Sequence, residues 1–233
     1  MVKTLHSRDD WELWTNKSCI NRLENHLFKV STSQYFSKII HLYKQILSKD
    51  ELYKASRYFH QKDRETFIVT RYFLRTVLPT FITNLKTSEI QFHYSGNKKP
   101  AIDGIEFNVS HSGDYVFIAV SPNPIGIDIE SIDSKFDYPP MLNELFNIEE
   151  QFFITSGKNK PLNFYALWTR KEAILKASGE GLIDQLNELN VLNEYITRNE
   201  MNYKLDTFNL DDMKYVFTLA LSNMQLTKFW RNC

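Results

Sequence analysis

Three groups of residues in this chain could do chemistry together. In GIDIE, Gly126 to Glu130, one isoleucine separates two carboxylates, so on a strand both emerge on the same side. In WTRKEAILK, Trp168, Glu172 and Lys176 recur every four residues, so on a helix they share one face. Ser110 and His111 add a hydroxyl and an imidazole. Acids alone suit a hard divalent cation, which takes oxygen ligands and keeps part of its shell for water or phosphate. A lysine, a histidine and nearby basic residues added to them point to a metal whose remaining ligand is phosphate. Each group alone also fits a plainer role. Asp128 and Glu130 could be the solvated face of a half-buried strand, Glu172 and Lys176 a surface helix pair worth ~0.3 kcal/mol, and His111 a structural histidine.

The elements that must place these groups are legible in the same segments. Ile125, Ile127 and Ile129 alternate with the acids and are expected in a core. Phe107 to Val109 reads as a short strand that ends in a polar loop, Ser110 to Gly113. Tyr115 to Val120 is continuously apolar, as in a strand buried on both faces, and Ser121-Pro122-Asn123-Pro124 interrupts it. A polar connection, Ser131 to Pro140, precedes helices expected over 141–156 and 162–178. Phe164, Leu167 and Ile174 would turn to the core, and Gly179 and Gly181 would end the second helix. All seven glycines fall between Gly96 and Gly181, so sharp turns and close backbone approaches are expected in the middle of the chain. SGNKKP, Ser95 to Pro100, reads as one such turn. Upstream, residues 35–48 have helical apolar spacing, and Leu52 to Arg75 reads as a helical segment with six basic residues against two acidic. Strand-like runs recur at 189–197 and 215–221, while the first fifty residues and the tail show no chemical motif.

Composition narrows the classes. At 233 residues, 42% hydrophobic, the chain can bury a substantial core as one large domain or two small ones. Basic and acidic residues both number 28, so no global field recruits nucleic acid or an anionic membrane. Cys19 and Cys233 lie near opposite ends without paired spacing, which argues against a disulfide framework or zinc site and fits a reducing compartment. No apolar run reaches membrane-spanning length, and MVKTLHSRDDWELW lacks a signal-peptide core. A soluble cytoplasmic protein is expected.

Taken in order, these segments resemble the signature motifs of the 4'-phosphopantetheinyl transferases, in the Sfp-like branch whose single chain holds two related halves. SGNKKP is similar to the first motif, a glycine-containing turn ending in Lys-Pro. Asn108 to Glu130 matches the second: Asn-Val-Ser-His-Ser-Gly, an apolar strand, then Gly-Ile-Asp-Ile-Glu. Trp168 to Leu182 matches the third, Trp-x-x-Lys-Glu-Ala-x-x-Lys-x-x-Gly-x-Gly-Leu. The likeness is specific from about Lys54 to Leu182.

The resemblance implies an α+β fold with two pseudo-symmetric halves, residues 1–121 and 125–233, a linker at 122–124 and the active site between them. It implies transfer of phosphopantetheine from coenzyme A to a serine of an apo carrier protein, acyl or peptidyl, releasing adenosine 3',5'-bisphosphate. Asp128, Glu130 and Glu172 would hold Mg2+, with Mn2+ as the alternative ion. Lys176 would pair with the phosphates, and Ser110 and His111 would bind the nucleotide end, His111 at the 3'-phosphate. Lys54, Lys99 with Pro100, and Asn108 match further cofactor-contacting positions, with Lys98 as a substitute for Lys99. Glu172, Lys176 and His111 form the catalytic set. Glu172 is the family's usual base, with Glu130 or a metal-bound water as alternatives. Relatives often carry arginine two residues beyond Arg64, where this chain has Thr66, so Arg64 could take over that nucleotide contact. The basic segment from Lys54 to Arg75 would face an acidic carrier, and the protein would act as a monomer without nucleic acid or membrane. Two competing functions share these residues: another Mg-dependent phosphodiester enzyme, or a non-catalytic carrier-protein or coenzyme A-binding module. The first would call for a long basic groove and the second for loss of an acid or of the helix lysine; neither feature is present in the sequence.

Overall fold

The repeated unit of this chain is a strand, a set of helices and a hairpin whose second strand returns beside the first. The computed structural model describes residues 2–4, 11–15, 18–83, 85–94, 99–181 and 183–232. In chain order the elements are β1 (Val2–Thr4), β2 (Glu12–Leu13), β3 (Asn25–Ser31), α1 (Thr32–Ile39), α2 (Tyr43–Ile46), α3 (Lys49–Ser56), α4 (Gln61–Phe81), β4 (His93–Tyr94), β5 (Pro100–Ala101), β6 (Glu106–Ser112), β7 (Tyr115–Ser121), β8 (Ile125–Ser131), α5 (Leu142–Leu145), α6 (Ile148–Ser156), α7 (Lys160–Ser178), β9 (Tyr195–Arg198), β10 (Met201–Leu210), β11 (Tyr215–Leu221) and β12 (Thr227–Arg231). In the first unit β3 lies beside β7, which pairs with β6; in the second β8 lies beside β11, which pairs with β10. The chain is therefore α+β, as expected, with a topological repeat that residue identity does not reveal.

The units exchange their ends. The last strand, β12, runs parallel to β3 inside the first sheet, giving the order β2-β12-β3-β7-β6, and β1 pairs in parallel with β10 at the margin of the second. Strand alternation then sorts the side chains into layers. Phe28, Val30, Val116, Ile118 and Val120 face α1 and α4, whereas Leu27, Phe117 and Ala119 meet Ile125, Ile127, Ile129, Phe217 and Leu219 of the second sheet. The outer face of that sheet is covered by α7. Helices, sheet, sheet and helices are stacked in that order, with β6 and β8 as the two sheet edges that meet.

Local signals explain where the helices start and stop. Ser48 and Glu51 form a reciprocal capping box at α3, as Asn147 and Glu150 do at α6. Gly179 takes φ 75°, the left-handed conformation that closes α7. Several expectations need correction. Ser110, His111 and Ser112 are not a loop but the end of β6, and the turn begins at Gly113 with φ 60°. The 52–75 segment is two helices, because Arg57 caps α3 and His60 opens α4. The 35–48 stretch likewise breaks into α1 and α2. Regular structure in the 189–197 run begins only at Tyr195, where β9 turns into the longer β10 through Asn199 and Glu200, both at positive φ. Ser95 to Lys98, Leu182 and Cys233 lie outside the described residues.

Candidate active site

The acids come from β8, whose odd and even side chains have opposite fates. Ile125, Ile127 and Ile129 are buried between the sheets, while Gly126, Asp128 and Glu130 face α7. Asp128 is not solvated, being only 4% exposed, and Glu130 is half-buried. Gly126 makes this possible, because a Cβ there would lie 2.0 Å from the Ala173 carbonyl oxygen and 2.7 Å from the Ala177 nitrogen. Helix and strand thus touch backbone to backbone, and Trp168, Glu172 and Lys176 line one cleft with Asp128 and Glu130.

Within that cleft the Lys176 ammonium lies 2.5 Å from Asp128 Oδ1, and the Ser110 hydroxyl donates to the same oxygen at 2.9 Å. Asp128 Oδ2 is buried with no partner. Burial pushes the Asp128 carboxyl up, against the pull of Lys176 and the Ser110 hydrogen bond. Glu130 and Glu172 are raised too, by burial first and by the Asp128 charge second. Ser112 donates to Glu130 Oε2 at 3.1 Å. Among the described residues no cluster of three or more His, Cys, Asp and Glu side chains is already gathered around an ion position. The donor set nevertheless fits a hard cation: three acids, two of them raised by the charge of the third, all-oxygen chemistry, and one orphaned carboxylate oxygen.

His111 lies on the opposite side of β6 from Ser110 and lines both this cleft and a larger cavity of about 510 Å³. Burial first, and Lys176 second, lower the His111 imidazole below its ordinary value. The larger cavity has Lys54, Lys62 and Arg71 against a single acid, Asp63, with Tyr58 and Phe67 as aromatic walls. Cations and aromatic walls together can receive an anion that carries a flat ring. Pro100 lines it as well, and Lys99 donates to the Lys176 carbonyl oxygen at 3.3 Å. Lys98 lies outside the described residues.

The sequence pointed to Arg64 as the replacement guanidinium, but Arg64 is exposed whereas Arg71 is 6% exposed and lines the cavity. Arg71 stacks over Phe92, donates from Nη2 to the Tyr94 hydroxyl at 3.0 Å, and leaves Nη1 without a partner. Its spacing on α4 distinguishes it in no way from Arg75, which is bound to Glu51 at 2.6 Å, whereas Arg71 Nε stands 3.9 Å from the same carboxylate. Nor did sequence single out Asp63 and Thr70, which also line the cavity, or Ser112 beside Glu130. Asn108 and Ser110 turn toward β8, accepting hydrogen bonds from Ile127 N at 3.2 Å and Ile129 N at 3.3 Å.

The basic, aromatic-walled cavity and the cleft of three acids and a lysine share Val109 and His111 in their linings, an arrangement that can receive a nucleotide-bearing phosphate. Comparison with known proteins agrees. The model described as 4'-phosphopantetheinyl transferase superfamily matches residues 124–220, and the one described as 4'-phosphopantetheinyl transferase, N-terminal, matches residues 33–123. The chain is 31% identical over 177 residues to the 4'-phosphopantetheinyl transferase HetI of Nostoc sp., covering 72% of this chain and 73% of that protein. A putative 4'-phosphopantetheinyl transferase of Synechocystis sp. is 34% identical over 63% of each chain. The 4'-phosphopantetheinyl transferase Sfp of Bacillus subtilis is 30% identical over 62% of this chain and 66% of its own. The chain belongs to the 4'-phosphopantetheinyl transferase superfamily.

Proposed function

We propose that the chain moves the 4'-phosphopantetheine of coenzyme A onto a serine hydroxyl of an apo acyl or peptidyl carrier protein, leaving adenosine 3',5'-bisphosphate. The observation that carries this reading is the continuity of the two cavities: His111 and Val109 line both the basic cavity and the acid cleft. A nucleotide in the first would then present its pyrophosphate to the second. Tyr58 and Phe67 would hold the base, and Lys54, Arg71 and His111 the phosphate of the ribose. Lys176 would meet the pyrophosphate, drawn there from Asp128. Asp128, Glu130 and Glu172 would hold Mg2+, which when bound neutralises the charge growing on the leaving phosphate.

In the transfer the carrier serine oxygen attacks the pantetheine-bearing phosphorus, the bond from that phosphorus to the bridging oxygen breaks, and the bisphosphate leaves with the electron pair. The serine proton must go to a base at the mouth of the cleft. Glu172, half-buried there, is the candidate base: burial and the Asp128 charge raise its carboxyl, and a bound cation would act against that rise. The halves would meet at residues 122–124, where the two matched segments abut. Because both lie in one chain, a monomer has a complete site, and its basic α3 to α4 surface suits an acidic carrier. No helix among the described residues is long and apolar enough to cross a membrane, and Cys19 is a free thiol, both in keeping with work in the cytoplasm.

The test is mass spectrometry of apo carrier proteins incubated with the chain, coenzyme A and Mg2+. One added phosphopantetheine, absent with Asp128→Ala, is the expected result. An unchanged mass across a panel of acyl and peptidyl carriers would overturn the proposal.

A further inference from the structure

The two sheet edges that meet, β6 and β8, are not joined as strands usually are. Among the described residues β8 pairs as a strand along one side only, with β11. Successive N–H groups of a strand point to opposite edges, so those of Ile127, Ile129 and Ser131 face β6. Each finds a side chain there rather than a backbone carbonyl. Asn108 Oδ1 accepts from Ile127 N at 3.2 Å, Ser110 Oγ from Ile129 N at 3.3 Å, and Ser112 Oγ from Ser131 N at 2.9 Å. All three bonds have the same sequence offset of 19, the mark of a ladder with one register.

A hydroxyl that accepts from an amide still has its own proton to donate. Ser110 gives it to Asp128 Oδ1 at 2.9 Å and Ser112 to Glu130 Oε2 at 3.1 Å, with the Ser131 hydroxyl a neighbour of Ser112 at 3.2 Å. Every rung therefore fixes a β8 amide, and two of the three also fix the carboxylate one residue earlier. On the other side of β6, Val109 and His111 line the basic cavity. The same ladder that joins the sheets sets the height of the acids relative to the nucleotide cavity.

We propose that Asn108, Ser110 and Ser112 form a side-chain seam between the halves, and that Ser112 is the positioning residue for Glu130. It rests on the reading of Asp128 and Glu130 as acids of the transfer site. The alternating polar residues of β6 are then there to replace backbone pairing at an edge where the strands must stay far enough apart to frame a cleft.

Ser112 is the rung to test, since it is the last residue of β6 and lines neither cavity. In Ser112→Ala the Ser131 amide should exchange with deuterium at least about tenfold faster, while Ser112→Thr, which keeps the hydroxyl, should hold it protected. In the transfer assay Ser112→Ala should lower kcat by about 10- to 100-fold with KM for coenzyme A within about twofold of wild type, and Ser112→Thr should recover most of it. If Ser112→Ala folds poorly, Ser112→Cys keeps the volume with a poor donor and acceptor and should give the same split. A Ser131 amide that stays protected in both variants ends the seam. An unchanged kcat, or a KM that rises in step with the loss, ends the positioning role, the latter making Ser112 a substrate contact. If the wild-type chain transfers nothing, the transfer reading falls with the positioning role, and amide exchange still decides the seam.

Discussion

Asp128 shows how the side chains of the cleft are set against the comfort of the fold. It is buried, one oxygen has no partner, and Lys176 first, then Ser110 and His111, offset part of the cost of keeping it charged. Asp128→Asn removes that charge and lets the exposed end of Lys176 turn to water. The variant should melt no lower than wild type without metal, and its transfer rate should fall about a hundredfold or more. A melting curve and the carrier mass assay check both halves of that expectation. Arg71 is the second case. A charge-assisted bond from an already buried guanidinium is worth ~2 kcal/mol, so Arg71→Met should raise KM for coenzyme A roughly 10- to 50-fold with a smaller change in kcat. An unchanged KM would place the nucleotide phosphate elsewhere. The acids were readable because their spacing puts them on one side of a strand, the helix lysine because it shares a helix face with Glu172, and His111 from the motif that carries the resemblance. Arg71 was not, because burial and an unpaired Nη1 separate it from its neighbours only in three dimensions.

The acids and the lysine meet because strand β8 and helix α7 touch at Gly126. Gly126→Ala would drive a methyl into the Ala173 carbonyl and the Ala177 amide, atoms that cannot swing away as a side chain could. Overpacking of this kind costs about 1–3 kcal/mol, and the strain is relieved by moving α7 outward, which withdraws Glu172 and Lys176 from Asp128. The variant should lose melting temperature and transfer together, and a variant with full activity would show that the contact is not what places the lysine. Both elements were legible beforehand. Alternating isoleucines marked β8, and the buried Phe164, Leu167 and Ile174 with a glycine at the end marked α7. The far half of β6 was not, because Ser110, His111 and Ser112 break the apolar alternation that identifies a strand. Their polarity belongs to the seam, where side chains stand in for ladder partners. β3 and β12 were missed for another reason: a parallel pairing between residues 25–29 and 227–231 leaves no local signature.

That pairing ties the whole molecule together, and it includes a proton-sensitive joint. β12 lies inside the first sheet, so the first half is finished by the last residues of the chain. On β12 the Trp230 indole donates to His26 Nδ1 of β3 at 2.9 Å, and His26 Nε2 is 2.8 Å from the Asn21 carbonyl oxygen. The imidazole must therefore be neutral, with its proton on Nε2, since protonating Nδ1 would set two donors against each other. Burial lowers the His26 imidazole below its ordinary 6.5, with the Asn21 carbonyl only partly offsetting it. The sign follows directly. Below 6.5 the unfolded chain takes up a proton that the folded chain refuses, so the unfolded state binds more protons and stability falls as pH falls. The contribution is whole above 6.5 and is lost progressively on acidification toward the lower folded value. His26→Gln can accept from Trp230 through its carbonyl and donate to Asn21 through its amide, without titrating. Melting temperatures measured from pH ~8 to ~5.5 should fall for both proteins as other groups titrate, but less steeply for His26→Gln below pH ~6.5. Because β12 shares its sheet with β6, the wild-type chain should also lose protection at the Ile127, Ile129 and Ser131 amides over that interval. Parallel melting curves for the two proteins would mean that the joint between first and last strands is not the acid-sensitive point of the fold.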